Sequence, residues 1–487
     1  MHSTQTTRYC GYATKLIGLQ AIVLLTACVN GRSSIRPNGV MLDPRALTTN
    51  SAISQTITAT DHRRDAAWWK AYGDPQLDQL VESAVVHNPT MTMAAARIRQ
   101  MRAVFDTQHA DESLTVTGLA SVSGQRFSDN YGWGSYGGTW NSDNQLLLDV
   151  NYRFDFWGKR RATLAASQDR VHVSEAEAQD AALLLQTSLV ETYIQLAVTY
   201  DLRALANEGL ARRRQLLALA ALRRQAGMDN SIDVTVLQSA ITGTCSEIVR
   251  LDGEIDRLRH AVAALTGHDP SYADTLVRPA LNHLSNPEPI SSLPADLLGH
   301  RPDVVAARAR VEAASQDIVA AKAAFYPDID LSMFAGVQRL GLNELLTGGS
   351  FAAGVVPALS LPIFDGGRLR GQLKSRTADY DVAVSNYNAA LLTALREVAD
   401  GVTNLQAASR QKGAAEESVA QQQTLLELQR TRAEAAIASH IDLLNAEIAL
   451  LLSQRNAADA DARVAVRQVA LIRALGGSYS TPSSAKQ

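Results

Sequence analysis

Leu146-Leu147-Leu148-Asp149-Val150-Asn151-Tyr152-Arg153-Phe154-Asp155-Phe156 alternates apolar and polar side chains from Leu148 onward. Leu146, Leu148, Val150, Tyr152, Phe154 and Phe156 share one face and Asp149, Asn151, Arg153 and Asp155 the other, the period of two that a strand imposes. In a water-soluble sheet such alternation separates core from solvent. In a membrane barrel it separates lipid from a wet lumen, and the spanning strands are about 9 to 11 residues long. The partner strand is expected at 114–125, across a loop, 128–143, rich in Gly, Asn, Ser, Tyr and Trp. A second strand pair is expected at 328–339 and 351–361, joined by 340–350. On the barrel reading Asp149, Asn151, Arg153 and Asp155 are the candidate lumen-facing side chains.

Working outward, the chain is written twice. Phe154-Asp155-Phe156-Trp157-Gly158-Lys159-Arg160 lies against Ile363-Phe364-Asp365-Gly366-Gly367-Arg368-Leu369, with Gly158 on Gly367. Further on, Ser231-Ile232-Asp233 falls on His440-Ile441-Asp442. Near the ends, Ala264-Leu265-Thr266-Gly267 meets Ala474-Leu475-Gly476-Gly477 one residue out of that register. Upstream, His87-Asn88-Pro89 matches His300-Arg301-Pro302. Four matches in one order, with a drift of a few residues, point to a duplicated unit.

Each unit opens with a helix launched by proline, which suits the first helical turn. After the strand pair comes a proline-free helical stretch, 158–225 or 367–438, of about 102 or 108 Å at about 1.5 Å per residue. Leu183, Leu184, Val190, Ile194, Leu205, Leu216 and Leu219 are interleaved with Ala, Gln, Glu and Arg, so one stripe is buried and another wet. Each long helix turns back near 226–230 or 438–440 and returns as a second helix ended by Gly267 or Gly476-Gly477. Asn230 and Asp233 mark the first tip.

The N-terminus reads as an address. Residues 1–15 carry Arg8 and Lys15 and no acid, and 16–25 is an apolar run broken only by Gly18 and Gln20, the layout of a secretory signal. Leu25-Thr26-Ala27-Cys28 then looks like a bacterial lipobox, in which Cys28 takes a covalent lipid, and Val29 is read as permitting transfer to the outer membrane. No later segment holds 18 continuous apolar residues, so a membrane crossing has to use strands. The organisation is therefore signal peptide 1–27, lipid-anchored tether 28–60, first-repeat helices 61–113, strand pair 114–157, helical hairpin 158–267, linker 268–300, second-repeat helix 301–327, strand pair 328–365, helical hairpin 366–477 and a disordered tail 478–487.

Composition narrows the function. The 487 residues hold 46 basic and 49 acidic side chains, a net charge of −3, so nothing in the balance equips the chain to neutralise the phosphates of nucleic acid. Three cysteines, at 10, 28 and 245, cannot build a disulfide framework or a zinc pair, and Cys245 is expected to be a small buried residue. Alanine at about one residue in six and 5% aromatics suit long, closely packed helices. No metalloprotease, Walker or nucleophile-elbow motif is present, which argues against an enzyme. Gly132-Trp133-Gly134-Ser135-Tyr136-Gly137 fits a dinucleotide fingerprint in letters, yet it lies in the loop of a strand pair rather than between strand and helix. Trp68-Trp69 is read as structural. No cofactor is expected beyond the lipid on Cys28.

Several stretches together resemble one known family: Trp68-Trp69 with Tyr72-Gly73-Asp74-Pro75-Gln76-Leu77, Arg301-Pro302-Asp303, Phe325-Tyr326-Pro327-Asp328, and Leu361-Pro362-Ile363-Phe364-Asp365-Gly366-Gly367-Arg368. The chain is similar over essentially its whole mature length to the TolC-like outer membrane factors, in their lipid-anchored NodT branch. The resemblance implies a mainly α protein with a membrane β-barrel. A homotrimer would give four strands per chain to one 12-stranded barrel and four helical strands per chain to a periplasmic tunnel. It implies an outer-membrane channel of a tripartite efflux system, a passive duct for small toxic compounds or drugs, with a periplasmic adaptor and an inner-membrane pump as partners. A non-conducting structural lipoprotein spacer is the alternative, and a lipid-anchored hydrolase a remoter one. The resemblance also implies a gate near the second tip, for which Ile441, Asp442 and Asn445 are the candidates. Many relatives carry an aspartate where Asn445 stands, so a repelling carboxylate ring is in doubt there, and Asp442 and Asp233 are each expected to cap a helix instead.

Overall fold

The computed structural model describes residues 35–43, 67–130, 137–281, 301–341, 345–435 and 437–477. The expected leader, Cys28, most of the tether, residues 132–136 of the false dinucleotide fingerprint, the linker from 282 and the tail from 478 lie outside the described residues. The chain divides into two compact units. The first holds 1–41, 99–173 and 307–387, the second 42–98, 174–306 and 388–487.

Secondary structure follows the duplication. Helices α1 (Pro75–His87) and α2 (Pro89–Ala110) precede strands β1 (Thr115–Arg126) and β2 (Trp140–Phe154), followed by α3 (Lys159–Gln225) and α4 (Ser231–Leu265). The second copy runs α5 (Pro302–Ala323), β3 (Asp328–Leu340), β4 (Phe351–Ser360), α6 (Arg368–Glu434) and α7 (His440–Ala474). Equivalent helices have equal lengths: 22 residues for α2 and α5, 67 for α3 and α6, 35 for α4 and α7. Their starts and ends are displaced by a constant offset throughout each hairpin. Gly267 therefore pairs with Gly476, not with Gly477 as the sequence match suggests, and the two have φ of 79° and 81°. The local sequence misleads because Ala-Leu-x-Gly recurs there one residue out of register, ending on a second left-handed glycine, Gly477, with φ 66°.

The first unit contains a four-stranded antiparallel sheet in the order β1-β2-β3-β4. β2 begins at Trp140, inside the expected loop, and ends at Phe154. Residues 140–145 continue the ladder against β1, and 143–145 also against β3, even though their side chains are mostly polar, which is why alternation of hydrophobicity alone missed them. Asp155 and Phe156 lie beyond the strand. Asp155 turns its carboxylate to the amides of Arg160 (3.2 Å) and Arg161 (2.9 Å), so it caps α3 rather than continuing the polar face of the strand. Asp365 does the same for α6, accepting from the amides of Gly367 (2.9 Å) and Leu369 (2.8 Å). Gly158 and Gly367, each just before its helix, take φ of 72° and 91°, a conformation that turns the strand exit into the helix and that a side chain would strain.

The second unit has the main apolar core. Trp69, Tyr72, Leu77, Leu80, Val81 and Ala84 pack against Leu189, Val190, Tyr193 and Ile194 of α3 and against Ala465 and Val469 of α7. Asp74, 5% exposed, caps α1 through the amide of Gln76 and accepts from Tyr193 Oη (2.7 Å) and the Ala280 amide (2.9 Å). Gln76 pairs with both main-chain groups of Val277. The Trp-Trp-x-x-Tyr-Gly-Asp-Pro-Gln-Leu stretch is thus a hub for the core, and Trp69 is buried in it. One window of α3 is long and apolar enough to cross a membrane, but half of it is buried within the protein, as in a core helix. Cys245 is half-buried rather than buried, and its sequence neighbours on α4, Gly243, Thr244 and Ser246, are small and cover little of it.

Candidate functional site

The sheet has two chemically distinct faces. Residues opposite one another in an antiparallel ladder share a face, and the register sets Val116, Val150, Met333 and Val355 in one row across all four strands. Gly118, Leu148, Ala335 and Ala353 form the next row on that face. Val116, Leu148 and Val355 are 57 to 65% exposed, which in water would be a large uncovered apolar surface.

The other face carries Thr117, Asp149, Phe334 and Gly354 in one row and Thr115, Asn151, Ser332 and Val356 in the next. Ser332 Oγ donates to Asn151 Oδ1 at 2.7 Å, and Arg153 Nε donates to Asp330 Oδ1 at 2.5 Å. Asp149, Asn151 and Arg153 therefore share the polar face, where Ser332 donates to Asn151 and Asp330 accepts from Arg153, while Asp155 has left the sheet. Phe334 interrupts the polar face, and its ring fills the space over Gly354, where an added Cβ would lie 2.6 Å from it. Sequence reasoning missed that aromatic, whose only signal was a glycine directly opposite it in β4.

β1 and β4 each have one unpaired edge among the described residues. Long exposed edges invite further strands, and four strands cannot close a barrel, for which about eight is the bacterial minimum.

In the second unit the two hairpin tips are built differently. At the first, Asn230 Oδ1 accepts from the amides of Ile232 (2.8 Å) and Asp233 (3.3 Å). The cap of α4 is therefore Asn230, and Asp233, expected to cap, instead presents its amide to that cap from an exposed position. Arg223 closes the loop by a two-pronged bond to Asp229 at 2.8 and 3.0 Å, which holds the Asp229 carboxyl below its ordinary range.

At the second tip Ser439 and Asp442 form a reciprocal capping box. The Asp442 carboxylate accepts from the Ser439 amide (2.9 Å) and hydroxyl (2.8 Å), and Ser439 Oγ accepts from the Asp442 amide at 3.3 Å. Those bonds depress the Asp442 pKa. With its carboxylate committed to the cap, Asp442 is separated in role from Ile441 and Asn445, which lie one turn apart. Ile441 is half-buried, Asn445 is exposed, and Leu444 between them is buried at 2%.

Above the tips two ion pairs tie the hairpins together. Arg212 of α3 reaches Glu447 of α7 at 3.0 Å, and Glu247 of α4 accepts from Arg455 of α7 at 2.5 Å and from Arg250 at 2.8 and 2.9 Å. The hydrogen bond from Arg250 and the charge of Arg455 pull the Glu247 pKa down to about 2. Beside these pairs lies a cavity of about 390 Å³ lined by Ala206, Gly209, Ala240, Gly243, Glu247 and Leu451 among others.

A sheet that is apolar on one face, polar on the other and open at both edges, followed by long paired helices, has clear counterparts among known proteins. The family profile described as outer membrane efflux protein matches residues 80–268 and 293–477. The fusaric acid resistance protein FusA of Burkholderia cepacia is 36% identical over 379 residues, 75% of this chain and 69% of that protein. The probable outer membrane lipoprotein SilC of Salmonella typhimurium is 25% identical over 480 residues, 96% of this chain and 99% of its own length. The crystal structure of the outer membrane protein VceC from Vibrio cholerae superposes with a TM-score of 0.77 at 35% identity, covering 85% of this chain and 99% of that one.

Proposed function

This chain belongs to the outer membrane efflux protein family and is an outer-membrane efflux channel, and from that premise we propose how it is assembled and what it carries. Three copies close one barrel of 12 strands, with β4 of each chain pairing to β1 of the next and the long hairpins enclosing a tunnel on the periplasmic side. The duct is passive: an inner-membrane pump supplies the energy, and a periplasmic adaptor joins the pump to the hairpin tips. Its cargo is small toxic organic compounds, the class to which the name of the fusaric acid resistance relative belongs. Cys28 carries the lipid that fixes the chain to the outer membrane.

The observation that carries this reading is the row Val116, Val150, Met333 and Val355 set back to back with Asn151, Ser332 and the Arg153–Asp330 pair on a sheet with open edges. Lipid on one side and water on the other satisfy both faces at once. Planar-bilayer recording on the purified protein tests it. Stepwise conductance is expected, and a protein that inserts without conducting would be the structural spacer instead. Analytical ultracentrifugation in detergent is expected to return three chains, and mass spectrometry of the mature N-terminus a lipidated Cys28. Drug-susceptibility profiling of a deletion strain identifies the cargo.

A further inference from the structure

Ile363 and Phe364, just past the last strand, are 83% and 92% exposed. Two adjacent large apolar side chains left in water are costly, and their position explains what covers them. On β4 the lipid-facing residues are Phe351, Val355 and Leu359, and Ile363 keeps that parity beyond the strand end. On β2 the apolar series likewise runs out through Phe154 to Phe156, beside Trp157, whose ring stacks on Tyr326 at 4.5 Å while its Nε1 donates to the Pro327 carbonyl at 2.8 Å. Tryptophan and tyrosine concentrate where acyl chains give way to headgroups.

Cations follow immediately. Arg368, Arg370 and Lys374 occupy the first two turns of α6 and are all exposed. Arg368 meets the neutral Gln372 side chain at 3.5 Å, and among the described residues neither Arg370 nor Lys374 has a carboxylate within ion-pair distance. Asp365 is spent on the amides of Gly367 and Leu369, and the first turn of α6 holds no acid. The duplicated counterpart differs. In α3, Lys159 pairs with Asp328 (3.5 Å), Arg161 with Asp155 (3.6 Å), and Arg160 Nη1 donates to the Arg153 carbonyl (3.1 Å). One copy satisfies its cations inside the chain; in the other the charge of Arg368 acts on Asp365, which the helix amides already hold, and Arg370 and Lys374 are left open beside an uncovered apolar pair.

We propose that Ile363, Phe364, Arg368, Arg370 and Lys374 form a docking surface for anionic phospholipids of the leaflet on the helix-bearing side of the barrel. The two apolar side chains enter the acyl layer, in continuity with the lipid-facing rows of the sheet, and the three cations take the phosphates. The proposal rests on the channel reading of the sheet, and its test leaves that reading independently measurable.

The full-length protein is reconstituted in phosphatidylcholine vesicles with and without phosphatidylglycerol, and the lipids it retains are counted by native mass spectrometry. Wild type is expected to retain phosphatidylglycerol preferentially. Arg368→Gln/Arg370→Gln/Lys374→Gln is expected to lower that preference by about fivefold or more, since each basic side chain near an anionic surface contributes about that factor. Arg368→Lys/Arg370→Lys/Lys374→Arg is expected to keep it, which separates loss of charge from loss of fold. Conductance of both variants is expected to stay at the wild-type level. In a second arm, Phe364→Trp is expected to be quenched by brominated phospholipid. Equal retention of the two lipids by wild type, an unchanged preference in the Gln variant, or an unquenched Phe364→Trp, as when a second copy covers the patch, overturns the proposal even if conduction is normal.

Discussion

Arg301 Nη1 donates to the main-chain oxygen of Ala474, the last residue of α7, at 2.8 Å. Asn88, its equivalent in the first copy, donates to the oxygen of Leu265, the last residue of α4, at 2.9 Å. A helix leaves its final carbonyls unpaired, and both copies meet that need with the side chain preceding the proline that starts an earlier helix of the same copy, α2 or α5. Arg301 adds a two-pronged bond to Asp303 (3.0 and 2.8 Å) and a bond to Glu397 (2.8 Å), while being only 7% exposed. Burial works against its charge, and the two carboxylates outweigh burial, raising the guanidinium further. Removing it strands a buried carbonyl and two acids together. Arg301→Ala is expected to cost about 3 kcal/mol and Asn88→Ala about 1 kcal/mol, read as the shift in calorimetric unfolding of the purified protein. Equal losses at both sites would show that the helix cap outweighs the ion pairs.

The two faces of β2 make opposite demands on a charge. Val150→Arg places a guanidinium in the apolar row with Val116 and Met333 and is expected to cost about 2 to 4 kcal/mol in barrel stability. Asn151→Arg sits with Ser332 on the polar face and is expected to fold normally. Urea unfolding from lipid vesicles measures both, and equal tolerance would mean that neither face meets lipid.

Much of this architecture was legible because it is periodic. The alternation of Leu148 to Phe154 reports the sheet directly, and Pro89 with Pro302 and Gly267 with the Gly476-Gly477 pair bracket the helices by backbone chemistry that each residue carries with it. What was illegible depends on partners distant in sequence. The polar start of β2, residues 140–145, belongs to the sheet because β1 pairs with all of it and β3 with the part from Asp143 onward. Asp155 reads as one more polar step of the strand until Gly158 turns the chain and presents the amides of Arg160 and Arg161 to it. Asp233 and Asp442 look equivalent in sequence. Only the residue three positions earlier, Asn230 in one copy and Ser439 in the other, decides which carboxylate is drawn into a capping box.

At the second tip the capping box divides the candidates by role. Ile441→Ala, or Asn445→Ala one turn further along, is expected to raise single-channel conductance, because trimming a constriction widens it. Asp442→Asn removes the charge from the acceptor that Ser439 uses and is expected to loosen the helix start with little change in current. A conductance rise confined to Asp442→Asn would reverse the assignment, and unchanged current in all three would place the gate elsewhere.

The tie between Glu247 and Arg455 is expected to make the hairpins acid-sensitive in one direction only. Glu247 titrates at about 2 in the folded chain against an ordinary 4.5, because Arg250 bonds it and Arg455 adds charge. A carboxyl whose folded pKa is depressed stabilises the folded state above its unfolded pKa, and loses that contribution as pH falls through the folded value. The window is therefore between about pH 4.5 and about pH 2, and stability at neutral pH is unaffected by small changes in acidity. Both partners are partly exposed, with Glu247 at 24% and Arg455 at 37%, so salt screens the pair and the effect shrinks at high ionic strength. Glu247→Gln is expected to lower the melting temperature at pH 7 in low salt and to converge with wild type as the pH approaches 2. Arg455→Gln should behave alike but more weakly, since Arg250 still holds the carboxylate. A melting-temperature difference between wild type and Glu247→Gln that stays constant across the window would mean that the glutamate contributes through packing beside the cavity and not through its charge.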